Sequence, residues 1–243
     1  MDEERGRAEG VLVEQLAYYR ARAGEYDGWF ERRGRYDRGE AATATWFAEV
    51  DQVRAALAEV PLEGADVLEL APGTGIWTEQ LVARAAHVTA IDAAPEMVAE
   101  SRRRLGARAE RVTYVLADLF AWLPERTYDA VVFCFWISHV PADRVDGFLA
   151  TVARALRPGR SVFFLDGRPE PTSTAADHVL PHRGEEITVR RLDDGRAFRI
   201  VKNYWPADEL ERRAAVAGLE VVVRETPTYF QFGAGRRPRG SRS

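Results

Sequence analysis

The sequence predicts an α/β protein: a mostly parallel sheet with helices on both faces, preceded by a helical cap and interrupted by an antiparallel hairpin. Three observations carry this. From Asp66 onward, short apolar runs alternate with segments of helical periodicity. The first run, Val67-Leu68-Glu69-Leu70-Ala71, passes directly into the turn Pro72-Gly73-Thr74-Gly75 and then into a helix. Before it, helical patterns occur without strand patterns. With 243 residues, 46% of them hydrophobic, the chain can bury one sizeable core, or a core and a small subdomain.

The elements follow in order. Val11, Leu12, Gln15, Leu16 and Tyr19 share a helical stripe over residues 11–22, and an aromatic-rich loop follows Gly24. Residues 41–58 repeat the helical pattern through Trp46, Phe47, Val50, Val53 and Leu57, until Pro61 and Gly64 break it. Strands are expected at 66–71, 87–92, 111–117, 129–134 and 161–166. Helices are expected at 76–85, at 95–105 behind Pro95, and from Pro141 onward. Residues 185–203 read as a hairpin around Asp193-Asp194-Gly195-Arg196. A helix opened by Pro206 and strands at 219–224 and 228–232 complete the pattern, the last two as antiparallel additions. This gives a cap over residues 1–62, a core over 63–233 and a basic, polar tail over 234–243 that is expected to be disordered.

Composition narrows the partners. Thirty-four basic and 38 acidic residues leave a formal net charge of −4, so no overall positive field draws in a nucleic-acid backbone, and a small molecule is the expected partner. The single cysteine, Cys134, excludes an intramolecular disulfide and sits in an apolar run as a small hydrophobe. The acidic start Met1-Asp2-Glu3-Glu4 is unlike a secretory signal, and no stretch approaches a membrane span, which leads to the expectation of a cytoplasmic protein. A homo-oligomer is left open, and no metal site is expected.

The turn after the first strand decides the chemistry. A dinucleotide enzyme needs G-x-G-x-x-G, and the third glycine is missing here. The pattern Glu69-x-Ala71-x-Gly73-x-Gly75 instead resembles motif I of the class I S-adenosylmethionine-dependent methyltransferases, with alanine in place of the family's first glycine. The resemblance implies a seven-stranded Rossmann-like sheet with Glu69, Ala71, Gly73 and Gly75 around the cofactor. Asp92, 17 residues beyond Gly75 and followed by Ala93, takes the position of the acid that holds the ribose hydroxyls. Met97 resembles the apolar flank of the adenine, and Asp118 with Leu119 the acid and amide that read its edge. Each has a structural alternative: Asp92 as a helix cap, Met97 as core, Asp118 as a solvated loop acid.

The segment Cys134-Phe135-Trp136-Ile137-Ser138-His139 resembles the family's border between cofactor and acceptor, which places Phe135 at the cofactor and Trp136 and His139 in the acceptor pocket. The Asn-Pro-Pro-Tyr type motif of nucleic-acid and protein amino-methylating relatives is absent. His139 is a candidate base for an acceptor proton, or equally a structural histidine before Pro141. The segment from Tyr19 to Asp27 resembles the start of ubiquinone- and menaquinone-type small-molecule methyltransferases, with Tyr19 and Tyr26 as pocket formers. The implied activity is in-line transfer of a methyl group from S-adenosylmethionine to an oxygen, nitrogen or carbon atom of a small acceptor. A nicotinamide-dependent oxidoreductase is disfavoured by the missing glycine and by Asp118, and a non-catalytic cofactor-binding module stays open.

Overall fold

The computed structural model describes residues 2–182 and 184–240, and for residues 2–8 the backbone alone. Five parallel strands form most of one seven-stranded sheet: β1 (Asp66–Leu70), β2 (His87–Asp92), β3 (Val112–Leu116), β4 (Tyr128–Cys134) and β5 (Leu156–Gly167). With β8 (Glu220–Glu225) and β9 (Phe230–Arg236) the order is β3-β2-β1-β4-β5-β9-β8, a Rossmann-like arrangement. β9 runs antiparallel to both β5 and β8. β1 pairs in parallel with β2 on one side and β4 on the other, so chain connections leave in opposite directions there and open a crevice beyond the strands' carboxyl ends.

Both faces of the sheet are covered, which is why its strands read as continuous apolar runs. Val67, Val88 and Val132 pack on one face against Trp46, Val53 and Leu57 of α3 (Glu40–Ala58) and Leu81 of α4 (Thr78–Val82). Leu68, Leu70 and Phe133 face the other way, toward Phe148 and Val152 of α6 (Val145–Ala155) and Leu210 of α7 (Ala207–Val216). The remaining helices are α1 (Asp2–Arg22), α2 (Tyr26–Phe30) and α5 (Pro95–Leu105).

The expected hairpin is a separate two-stranded sheet of β6 (Ile187–Arg191) and β7 (Ala197–Val201). It packs on α1, where Tyr18 meets Leu192 and Ile200. The buried Gln15 side chain spans this junction: its amide nitrogen donates to the His139 carbonyl (3.1 Å) and its oxygen accepts from the Val201 amide (2.9 Å).

β5 starts at Leu156 and not at 161, α1 starts at Asp2 and not at 11, and three further boundaries depart from the sequence reading. α4 is shorter than the expected 76–85, because Ile76 and Trp77 stay in the turn, where Trp77 packs edge-on to Phe30. α6 starts at Val145, since Pro141 to Arg144 close a turn of their own (Arg144 amide to Pro141 carbonyl, 2.9 Å). β9 reaches Arg236, and Arg237 donates to the carbonyls of Ala153 and Leu156, so the expected tail loses its first residues to the sheet. Residues 241–243 of that tail lie outside the described residues. Among the described residues, no helix is long and apolar enough to cross a membrane and no group of three or more His, Cys, Asp or Glu side chains could hold a metal.

Glycine is what lets β9 enter. A Cβ on Gly235 would stand 2.0 Å from the Glu220 carbonyl oxygen and 2.7 Å from the Val221 Cα, both backbone atoms of β8. Gly235→Ala should therefore destabilise the fold by roughly 1–3 kcal/mol. At about 2–4 °C per kcal/mol the loss is visible in a thermal melt. Gly240→Ala, where nothing lies within 4 Å, is the control and should leave the melt unchanged.

Candidate active site

The crevice holds a cavity of about 980 Å³. Its floor is made by the turns that follow β1, β2, β3 and β4, and its roof by Leu12, Leu16 and Tyr19 of α1. The turn after β1 shapes it. Ala71, Gly73 and Gly75 all have positive φ (53°, 56° and 83°). A Cβ on Gly75 would lie 2.5 Å from Ser101 Oγ and 3.1 Å from its Cα, so this glycine seats α5 against the turn and does not line the cavity. A Cβ on Gly73 would meet nothing within 4 Å, and Gly73 lines the cavity. Ala71 is an L-residue in the left-handed region, a cost of about 1–2 kcal/mol held at a ligand-facing turn.

Asp92, at the end of β2, ties this turn to α5. Its Oδ2 accepts from the Gly73 amide (3.2 Å) and its Oδ1 from the Ala94 amide (2.8 Å), and the carboxylate still lines the cavity. The capping alternative and the ligand-facing position thus coexist in one side chain. Burial raises its pKa to about 6, so it is ionised at neutral pH. Ala93 follows it along the cavity wall, Met97 is buried below, and Leu119 covers the far side. Asp118 Oδ1 accepts from the Phe120 amide (2.9 Å), which shapes the loop after β3.

Glu69 opens into a smaller recess of about 310 Å³, bounded by Gly73, Thr74, Trp77 and Phe135. The residue is 1% exposed and its Oε2 has no hydrogen-bond partner. Burial, with the Asp92 charge adding, raises its pKa to about 8. At neutral pH the ligand-free side chain is therefore protonated, and a cationic donor placed in the recess beside Oε2 would draw it into the ionised form.

A second cavity, of about 650 Å³, shares Tyr19, Tyr26 and Phe135 with the first. His139 lines it and is held from both sides. The Val201 carbonyl can only accept, so His139 Nδ1 donates to it (2.7 Å), and Nε2 is left to accept from the Tyr19 hydroxyl (2.8 Å). Burial, helped by the Lys202 charge, holds the His139 pKa well below the usual value, so the ring is neutral. Burial likewise drives the Tyr19 phenol well upward.

Trp136, expected in the acceptor pocket, lines the first cavity instead, because its ring leans on Phe120 (centroids 5.6 Å apart). Sequence reasoning missed the roof residues Leu12 and Leu16, and also Arg22, Arg190 and Lys202, which line the second cavity. For Arg190 and Lys202 the only signal was the position of the hairpin between the fifth strand and the late helix, and Arg22 of α1 had none.

Known proteins support this geometry. A methyltransferase-domain family profile matches residues 67–159. The ubiquinone biosynthesis O-methyltransferase of Xylella fastidiosa (strain 9a5c) is 33% identical over 139 residues, 56% of this chain and 54% of that protein. The demethylmenaquinone methyltransferase of Tropheryma whipplei (strain Twist) is 33% identical over 96 residues, 40% of this chain and 39% of that protein. The chain thus spans about half, or less, of the length of these curated relatives. A solved structure, the DhpI-SAM-HEP complex, is 36% identical with a TM-score of 0.74 and covers 93% of this chain and 98% of its own.

Two substitutions test the cofactor side. Gly73→Val puts a β-branched side chain into the cavity at positive φ and should abolish S-adenosylhomocysteine binding in calorimetry; unchanged binding would show the turn misread. Glu69→Gln should weaken that binding by about 10–100-fold, the loss of one hydrogen bond to a charged group. It should also stabilise the ligand-free protein. The Glu69 pKa is raised from 4.5 to about 8, so folding binds a proton across this window, and the stabilising contribution present below pH 4.5 is lost as pH rises through 8. The amide does not titrate, so the Tm advantage of Glu69→Gln over the parent should widen from pH 5 to pH 8.

Proposed function

Because the chain belongs to the class I S-adenosylmethionine-dependent methyltransferases, we propose that it transfers the methyl group of S-adenosylmethionine to an oxygen, nitrogen or carbon atom of a small acceptor held in the second cavity. The observation that carries this reading is the common wall: two cavities, one lined by the carboxylates Asp92 and Asp118 and one by cations, meet at Tyr19, Tyr26 and Phe135.

The residues present fit the cofactor. Glu69, with its free buried oxygen, suits the ammonium of the methionine part. Asp92 faces the cavity with lone pairs to spare for vicinal hydroxyls, and Met97 and Leu119 offer apolar surface to the base, with Asp118 near its edge. When bound, the cofactor supplies an electrophilic methyl group on a sulfonium that leaves readily. The protein's task is then positional. Holding a nucleophile about 3 Å from the methyl carbon with water excluded can supply roughly 7–11 kcal/mol. We assign residues 1–62 as the cover that excludes water, 63–233 as the core, and the hairpin as the second half of the cover.

An acceptor that arrives protonated needs a base. His139 has a lone pair on Nε2, but the Tyr19 hydroxyl occupies it. In this reading an acceptor X–H donates to the Tyr19 oxygen, and as the X–C bond forms Tyr19 takes that proton and passes its own to His139. Tyr19→Phe and His139→Ala should each lower kcat by about 10²–10⁴-fold with such an acceptor. Both should bind S-adenosylhomocysteine as the parent does. Transfer of labelled methyl from S-adenosylmethionine, screened over small phenols, amines, acids and quinols, is the assay. Intact turnover in both variants removes the proton route, and failure of the parent to methylate any acceptor while binding S-adenosylhomocysteine points to a binding module.

A further inference from the structure

The second cavity carries more positive charge than any neutral acceptor requires. Arg22 from α1, Arg190 from β6 and Lys202 just beyond β7 all line it. Arg22 and Arg190 are 9% and 7% exposed, yet among the described residues neither has a carboxylate within salt-bridge distance. Arg22 lies over the rings of Tyr26 (4.8 Å) and Tyr18 (5.5 Å), its Nε is buried without a partner, and its NH2 reaches only the Tyr36 hydroxyl at 3.5 Å. The Arg190 side chain has only neutral partners: NH1 donates to the Val179 carbonyl (3.2 Å), and the Tyr204 hydroxyl lies beside it. Lys202 does have a counter-ion: Nζ donates to Ser138 Oγ (2.7 Å) and Asp166 Oδ1 (3.3 Å). Arg168, the fourth cation on the cavity wall, pairs with Glu225 (3.2 Å), so the two buried arginines are the ones left without a carboxylate.

Leaving a guanidinium buried and unmatched costs far more than leaving a neutral group so, and such groups are retained where something arrives to match them. Arginine cannot shed its proton to escape the cost. The charge is also misplaced for the reaction if nothing neutralises it, since a sulfonium beyond the Tyr19 wall is itself positive.

We propose that the acceptor is a small molecule carrying an oxyanion group, phosphoryl or carboxylate, which Arg22, Arg190 and Lys202 grip in the second cavity. This rests on the methyl-transfer reading above and names its substrate class. The guanidiniums present planar donor pairs suited to two oxygens of one such group, and Lys202 adds a point charge. Two uncompensated charges suit a dianion best. The neutral ring of a quinol would leave both arginines unmatched. Because the three cations come from the cap and the hairpin, the bound anion also holds these two covers together.

The test uses the full chain saturated with S-adenosylhomocysteine, titrated calorimetrically with inorganic phosphate, acetate and phenol. At least one anion should bind at least tenfold more tightly than phenol, phosphate ahead of acetate if a dianion is the natural form. Arg190→Met, which keeps the stem and removes the charge, should weaken that binding by tenfold or more, leave S-adenosylhomocysteine affinity within error and raise the Tm of the anion-free protein, because an unmatched buried charge is gone. In the labelled-methyl assay, small phosphate monoesters or carboxylic acids should be methylated and neutral quinols not. Phenol binding as tightly as either anion, or anion affinity indifferent to Arg190→Met, overturns the proposal. If S-adenosylhomocysteine binds and only neutral acceptors are methylated, the anion assignment falls and methyl transfer stands; if S-adenosylhomocysteine fails to bind the parent protein, the cofactor reading itself is lost.

Discussion

Buried charge is the constraint to which the rest of this molecule answers. Glu69 sits at 1% exposure with an oxygen unbonded, and Asp92 is drawn into the same region with its pKa lifted to about 6. Across the wall of Tyr19, Tyr26 and Phe135 the sign reverses, with Arg22, Arg190 and Lys202 around the second cavity. An isolated ion in a protein interior costs several kcal/mol even after relaxation. A fold selected only for stability would have removed these groups. Their retention, acids on one side and bases on the other, fits a site that waits for a cation in one cavity and an anion in the next.

Backbone strain collects at the same place. The left-handed residues Ala71 and Phe135 follow β1 and β4, the adjacent strands on either side of the crevice, and each is a non-glycine residue at positive φ. Phe135 is kept there by its amide, which donates to the Leu165 carbonyl at 2.6 Å, and by its ring, edge-on to Trp29 of the cap. The strain turns both chains sharply as they leave the sheet, so that their side chains face the cavities and not the next strand. Asp92 then fixes the turn after β1 to the start of α5 with one carboxylate and two amides.

The sheet was legible because its information is local. β2 (His87–Asp92) and α5 (Pro95–Leu105) match their expected ranges, since apolar runs and a leading proline mark them without reference to the rest of the chain. The hairpin was legible for the same reason, through Asp193 to Arg196. The lining of the first cavity and its smaller recess was readable from strand ends, because Ala71, Gly73, Asp92 and Asp118 end or follow strands, Glu69 lies near the end of β1, and the topology lines those ends up. Of the second cavity's lining, Tyr19, Tyr26 and His139 were readable and the cations were not. Arg22, Arg190 and Lys202 come from a helix, a strand and a loop far apart in sequence, and in a chain with 34 basic residues nothing local distinguishes them from solvated surface charges. Gly75 shows the converse, a motif residue whose task is packing against Ser101 and not contact with the cavity.

The cap and the hairpin are one cover because their polar contacts are mutual. Gln15 of α1 bonds to Val201 at the end of β7 and to His139 after β4, while Glu14 pairs with Arg199 at the surface. The buried Gln15 amide has both ends satisfied only when α1, β7 and the loop after β4 are all in place, and losing any one leaves a buried polar group unpaired. On the far side of the cap, Asp27 accepts from Thr74 Oγ1 at 2.6 Å and from Arg104 NH2 at 2.5 Å, which ties α2 to the turn after β1. The cover is therefore pinned at two points, one on each cavity, with Tyr19 and Tyr26 between them. In the proposed reading one cover roofs both cavities, so water exclusion at the cofactor and grip on the acceptor are set by the same contacts.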